Sequence, residues 1–220
     1  MADTADVIEA FQLGSDPSVA DLDQGAWKEA SPVYLTRYWS GDEAPVGRQG
    51  EARVVWSDSA LHIRFVCRQS EPLVTSATPQ TEVKTMGLWE RDVCELFIAP
   101  DAPRPERYFE FEAAPTGEWL DLRIQQLPGG RETDWEYRSG MSVAARINAD
   151  RIMIAMCIPW AALGRVPAAG ERWRANLFRC VGAGDERGYL AWRPTRTDAP
   201  NFHVPQAFGW LNFKGGKDKG

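Results

Sequence analysis

The chain holds only two histidines, His62 and His203, and no methionine stands at a spacing that ties it to either. A haem or metal site built on histidine needs a convergent partner set, and no such set can be named from spacing. No CxxC occurs, which excludes a zinc ribbon or a thioredoxin-type motif. P-loop, dinucleotide-type GxGxxG, EF-hand and Ser-His-Asp patterns are also missing. No run reaches the roughly 18 apolar residues of a membrane helix. No stretch of about ten residues keeps a helical period. A basic excess is lacking too, since the net charge is −6, which argues against nucleic acid as a partner. Residues 1–16 carry neither a basic n-region nor an apolar h-region. The expectation is therefore a cytoplasmic protein, or a secreted one whose signal has been removed. No internal repeat of fixed period appears, so a propeller or solenoid is excluded.

What remains is strand. Residues 52–56 and 60–68 form the clearest hairpin, with Ser57-Asp58-Ser59 as the turn. Leu61, Ile63, Phe65 and Cys67 face one way, and His62 on the other face is expected to be solvated. Strands are expected at 33–39, 93–99, 107–113, 119–126, 141–147, 151–158, 172–181, 189–193 and 208–213. The segment 127–133 is read as a Gly/Pro loop. Residues 159–164 supply one helical turn, and 1–20 an extension that lays down one short strand. Residues 214–220 are Gly/Lys-rich and are read as a flexible tail. About ten short strands with regular turn signals predict one all-β domain over 1–220, an antiparallel β-sandwich of immunoglobulin-like type. Cys67, Cys94, Cys157 and Cys180 are widely spaced within strands. They are expected to be free thiols acting as small hydrophobes, with one cross-strand disulfide left open.

Ten tryptophans are a heavy load for one core. Trp joins a flat apolar body to a polar handle, and surplus copies end up on binding surfaces. Residues 71–86 make a long threonine-rich loop leading directly to Trp89, and unstructured loops of that length are often functional. In the strand that follows, Cys94, Leu96 and Ile98 share one face and Val93, Glu95, Phe97 and Ala99 the other. A carboxylate within that run costs free energy unless something satisfies it. Trp89 with Glu95 reads as an aromatic platform beside a strong acceptor for sugar hydroxyls. The plainer alternative is a tryptophan plugging the sandwich end and a glutamate paired with an arginine. Glu110 and Glu112 lie two apart on one strand face, roughly 6.5–7 Å from the strand rise. That falls within the about 6.5–9.5 Å of an inverting glycosidase pair, although alternating glutamates also mark a solvated face. Asn201-Phe202-His203-Val204-Pro205 places a second aromatic and a histidine in the loop before the last strand.

Several segments together resemble the family 9 carbohydrate-binding modules. They are residues 22–27, ending in Trp27; residues 54–63; Trp89-Glu90-Arg91-Asp92-Val93-Cys94-Glu95-Leu96-Phe97; Ile158-Pro159-Trp160; 170–179 with Asn176; and Pro205-Gln206-Ala207-Phe208-Gly209. The resemblance implies a β-sandwich that binds a terminal sugar without catalysis, in a setting of polysaccharide degradation. It assigns the aromatic clamp to Trp89 and Phe202 and the hydroxyl acceptor to Glu95. Arg91, Glu110 and His203 are candidates at the rim. The resemblance allows a structural calcium as the one cofactor; metal ligands and catalytic residues stay unassigned. A saccharide ligand and a monomer are expected. The chain departs from the pattern in having phenylalanine at the second clamp position, and carboxylates at 110 and 112 where sugar-binding members use basic and amide residues. Two other readings remain open: a b-type haem domain of the related sandwich class, and a glycoside hydrolase using Glu110 and Glu112.

Overall fold

Alternating apolar residues between short turns do fold as strands throughout. The computed structural model describes residues 6–23 and 25–216. Its strands are β1 (Val7–Gln12), β2 (Val33–Leu35), β3 (Arg37–Tyr38), β4 (Gly50–Trp56), β5 (Ala60–Arg68), β6 (Val93–Ala99), β7 (Arg107–Ala113), β8 (Trp119–Leu127), β9 (Gly130–Asp134), β10 (Ser142–Ile147), β11 (Arg151–Pro159), β12 (Arg172–Val181), β13 (Gly188–Ala191) and β14 (Gly209–Lys214). Among the described residues the only α-helix is the single turn Trp160–Leu163. None is long and apolar enough to cross a membrane. The tail expected at 214–220 lies partly in β14 and partly outside the described residues.

The strands form one continuous sheet in the order β10-β11-β5-β4-β1-β14-β12-β6-β7-β8-β9, with β13 beside β12, β3 beside β13, and β2 beside β4. Four strands separate β5 from β6 along that path, yet Cys67 on β5 and Cys94 on β6 bring their Sγ atoms to 3.8 Å. The sheet therefore folds over on itself, and its two halves enclose the main core of Ile63, Phe65, Leu96, Ile98, Trp173 and Phe213. All four cysteines are free; three are buried and Cys157 is half-buried. β1 belongs to the sheet itself, pairing parallel with both β14 and β4.

Three expectations change. The single strand at 33–39 is two short ones, because β2 pairs with β4 while β3 pairs with β13, and the chain must switch partners between them. The loop read at 127–133 is a tight turn followed by β9, which pairs antiparallel with β8. Gly129 takes φ +88° there, a left-handed conformation that glycine adopts without steric cost. Among the described residues the strands thus number fourteen rather than about ten. His62 is not solvated: it is 1% exposed and bonds Asp16 at 3.1 Å. Burial lowers its pKa against the opposing pull of Asp16.

All seven residues of β6 are buried, because both of its faces are covered. Cys94, Leu96 and Ile98 point into the main core. Val93, Phe97 and Ala99 point the other way, into a second cluster with Tyr108, Leu122, Ile124, Phe178, Phe202 and Phe208. Fully burying a ring such as Phe97 contributes ~1.5–3 kcal/mol. Period two places Glu95 on that second face.

Candidate functional site

The β6–β7 register sets Glu95 directly opposite Glu112, and Phe97 opposite Glu110. Directly opposed residues of an antiparallel pair project to the same face. The three carboxyl groups therefore converge, with one oxygen of each within 4.8 Å of the others. All three side chains are buried. Among the described residues Glu95 receives only the Cys180 thiol, at 3.5 Å. Among the described residues, no donor reaches either oxygen of Glu112 or Oε2 of Glu110, apart from a proton the two glutamates share. Desolvation is the first cause of the resulting pKa changes, and mutual repulsion adds to it. Glu95 and Glu112 are pushed well above the usual carboxylate range. Glu110 is pushed up to about 6, restrained by the hydrogen bond from Glu112 and by the Arg131 charge. The cluster therefore keeps protons that exposed carboxylates would have lost.

Above this acidic floor opens a cavity of about 460 Å³. Trp89, Trp135, Phe202, Tyr189 and His203 contribute to its lining. Trp89 stands on the 3-10 turn Leu88–Glu90, 38% exposed. Three anchors fix that turn. Asp92 accepts from the Gly182 amide at 2.8 Å. Arg187 donates to the carbonyls of Trp89, Arg91 and Gly182 at 2.6–2.7 Å. Lys84, in the long loop before Trp89, donates to the carbonyls of Asp121 and Tyr137. The sequence Trp89-x-x-Asp92-x-x-Glu95-x-Phe97 thus supplies a wall, a buried anchor and two residues of the floor.

His203 bonds the Tyr108 hydroxyl at 2.9 Å. Burial, aided by Arg131, lowers its pKa to about 3, even though Glu110 lies 3.9 Å away. It is a neutral imidazole at ordinary pH. Phe202 stacks flat on Phe178, centroids 4.0 Å apart, and meets the edge of Tyr189. It offers the cavity only what those rings leave uncovered. The ring beside Trp89 is Trp135, at 6.3 Å and 46°.

Trp89, Phe202, Glu95, Glu110 and His203 therefore line one cavity. Arg91 does not join them; it pairs with Glu118 at 2.8 Å. Glu95 forms no ion pair with an arginine among the described residues, and Trp89 plugs no core. Glu110 and Glu112 occupy no solvated face, and their nearest oxygens lie closer than the about 6.5–9.5 Å an inverting pair keeps open for water. Among the described residues no methionine or lysine lines the cavity to complete an axial pair with His203. Trp135, Tyr189, Arg131 and Arg187 escaped sequence reasoning as site residues, and Glu112, read there as half of a hydrolase pair, is buried beside Glu95 and Glu110. Trp135 and Arg131 arrive with β9, the strand that reading missed. Chemically, flat apolar walls over buried acceptors suit a ring with C–H faces and polar edges.

The sequence profile described as Carbohydrate-binding family 9 matches residues 36–213. None of the curated proteins matches the chain. Among solved structures, a protein from Bacteroides uniformis, described as a proposed carbohydrate-binding protein, superposes with a TM-score of 0.72 at 15% identity, covering 94% of this chain and 99% of that one. A family 9 carbohydrate-binding module from Caldicellulosiruptor kristjanssonii in complex with glucose gives 0.67 at 14% identity, over 96% and 98%. The cellotriose complex of such a module from the same organism gives 0.67 at 14%, over 96% and 95%. At these identities the likeness establishes the fold.

Proposed function

Because the chain belongs to carbohydrate-binding family 9, we propose that it binds a saccharide without catalysis in the cavity above Glu95. The terminal sugar stacks between Trp89 and Phe202, and Trp135 extends the Trp89 side. Glu95 accepts ring hydroxyls at the floor. The observation that carries this reading is the convergence of Trp89 and Glu95 with Phe202, from two distant parts of the chain, on one 460 Å³ cavity. Glucose and cellotriose, the ligands of the Caldicellulosiruptor modules, are the first to try. Titration calorimetry with both is expected to give saturable binding to the wild-type protein. Trp89→Ala is expected to weaken it at least about tenfold, ~1.4 kcal/mol, through loss of ring stacking. Trp89 is partly exposed, so the variant should fold. Unchanged affinity in Trp89→Ala would remove the clamp from the reading.

A further inference from the structure

We infer that the preferred ligand of this cavity is a sugar bearing a protonated amine, whose ammonium sits among Glu95, Glu110 and Glu112. The inference rests on the carbohydrate reading above and narrows its ligand class. A neutral sugar needs an acceptor or two, balanced by donors. Here three carboxyl groups converge: Glu95 and Glu110 line the cavity with Glu112 fully buried beside them, and among the described residues only the proton that Glu110 and Glu112 share reaches either oxygen of Glu112 or Oε2 of Glu110. Burying such groups unpaired is costly, so the arrangement calls for a donor-only partner. A primary ammonium has three protons and no acceptor. With tetrahedral N–H directions and charge-assisted bonds of about 2.8 Å, its three acceptors would stand about 4.6 Å apart. The three glutamates each bring one oxygen within that reach, no two of these oxygens being more than 4.8 Å apart.

Among the described residues no cation is bonded to the triad, although the Arg187 charge acts on Glu95 and the Arg131 charge on Glu110. Arg187 is engaged with three backbone carbonyls. Arg131 is exposed on the lining. His203 is neutral, and its Nδ1 lies 2.9 Å from the Tyr108 hydroxyl. A divalent metal fits less well, because calcium takes six to eight oxygens while Trp89, Trp135, Phe97, Phe202 and Tyr189 dominate the walls. Those rings suit a cationic pyranose, by stacking and by cation–π attraction. Because the cluster retains protons, ammonium binding should expel them, and affinity should rise with pH until the ligand amine itself deprotonates.

The test is calorimetry near neutral pH with glucosamine, glucose and N-acetylglucosamine, repeated in buffers of different ionisation enthalpy. Glucosamine is expected to bind at least about tenfold tighter than either neutral sugar, with net proton release, and Glu112→Gln is expected to lose that preference. Equal affinity for glucose and glucosamine overturns the inference and leaves the carbohydrate reading standing. Failure of these three sugars and of cellotriose to bind overturns both. Retained preference in a folded Glu112→Gln, or calcium chloride alone binding to the wild type but not to that variant, also overturns the inference.

Discussion

Glu110→Gln should make the protein more stable, and increasingly so as pH rises. In the folded chain burial lifts the Glu110 carboxyl from an ordinary 4.5 to about 6. The folded state then binds more protons than the unfolded state between those values, so stability falls as pH rises. The protein keeps its full stability below pH 4.5 and has lost this contribution once pH passes 6. At about 1.4 kcal/mol per pH unit, the loss comes to ~2 kcal/mol. Glutamine has no charge to desolvate, and its amide can donate to Glu112. Removing Glu110 also relieves its repulsion of Glu95 and Glu112, which acts in the same direction. For a chain of this size ~2 kcal/mol corresponds to a rise in Tm of about 4–8 °C. Thermal denaturation of wild type and variant from pH 4 to pH 8 is the assay. The curves should lie closest at pH 4 and separate by that amount at pH 8. A variant less stable than wild type at pH 8, or a gap that does not change with pH, would refute the argument that burial destabilises this carboxylate.

Arg187→Met should cost ~1.5–3 kcal/mol, the range for hydrogen bonds to a charged group, because three carbonyls lose their guanidinium donor. It should also weaken sugar binding by letting the Trp89 turn shift; melting and calorimetry read the two effects separately. Gly209→Ala should lower stability by ~1–3 kcal/mol through overpacking. Its added methyl would overlap the Trp192 ring and approach the Asp6 carbonyl at 2.9 Å. A denaturant midpoint equal to wild type would show that the ring moves aside freely. Asp92→Ala should leave the Gly182 amide, now bonded at 2.8 Å, without its acceptor, at a cost of ~1–3 kcal/mol. Chemical denaturation checks this, and a neutral result would mean water replaces the carboxylate.

The strand pattern was legible in the sequence because side-chain alternation is local. Residues 107–113 and 172–181 alternate over the spans that β7 and β12 occupy, and the hairpin of β4 and β5 announced itself through its serine-rich turn. The buried cysteines could likewise be read, since apolar side chains follow the core. Where burial depended on a distant segment, local reasoning failed. His62 looked solvated on its strand, but Asp16 and the chain around it cover the imidazole. β9 escaped because its residues, Gly130 to Asp134, are polar; only pairing with β8 makes them a strand, and that pairing brings Arg131 and Trp135 to the cavity. Sequence by itself determined that a tryptophan, a glutamate and a late-loop phenylalanine were present and awkwardly placed. Tertiary structure alone decided that Glu110 and Glu112 join Glu95 in one buried cluster. The physical reason is register: with a side-chain period of two, a slip of one residue between β6 and β7 would turn the two carboxylates of β7 to the opposite face, and no local signal fixes which residue faces which.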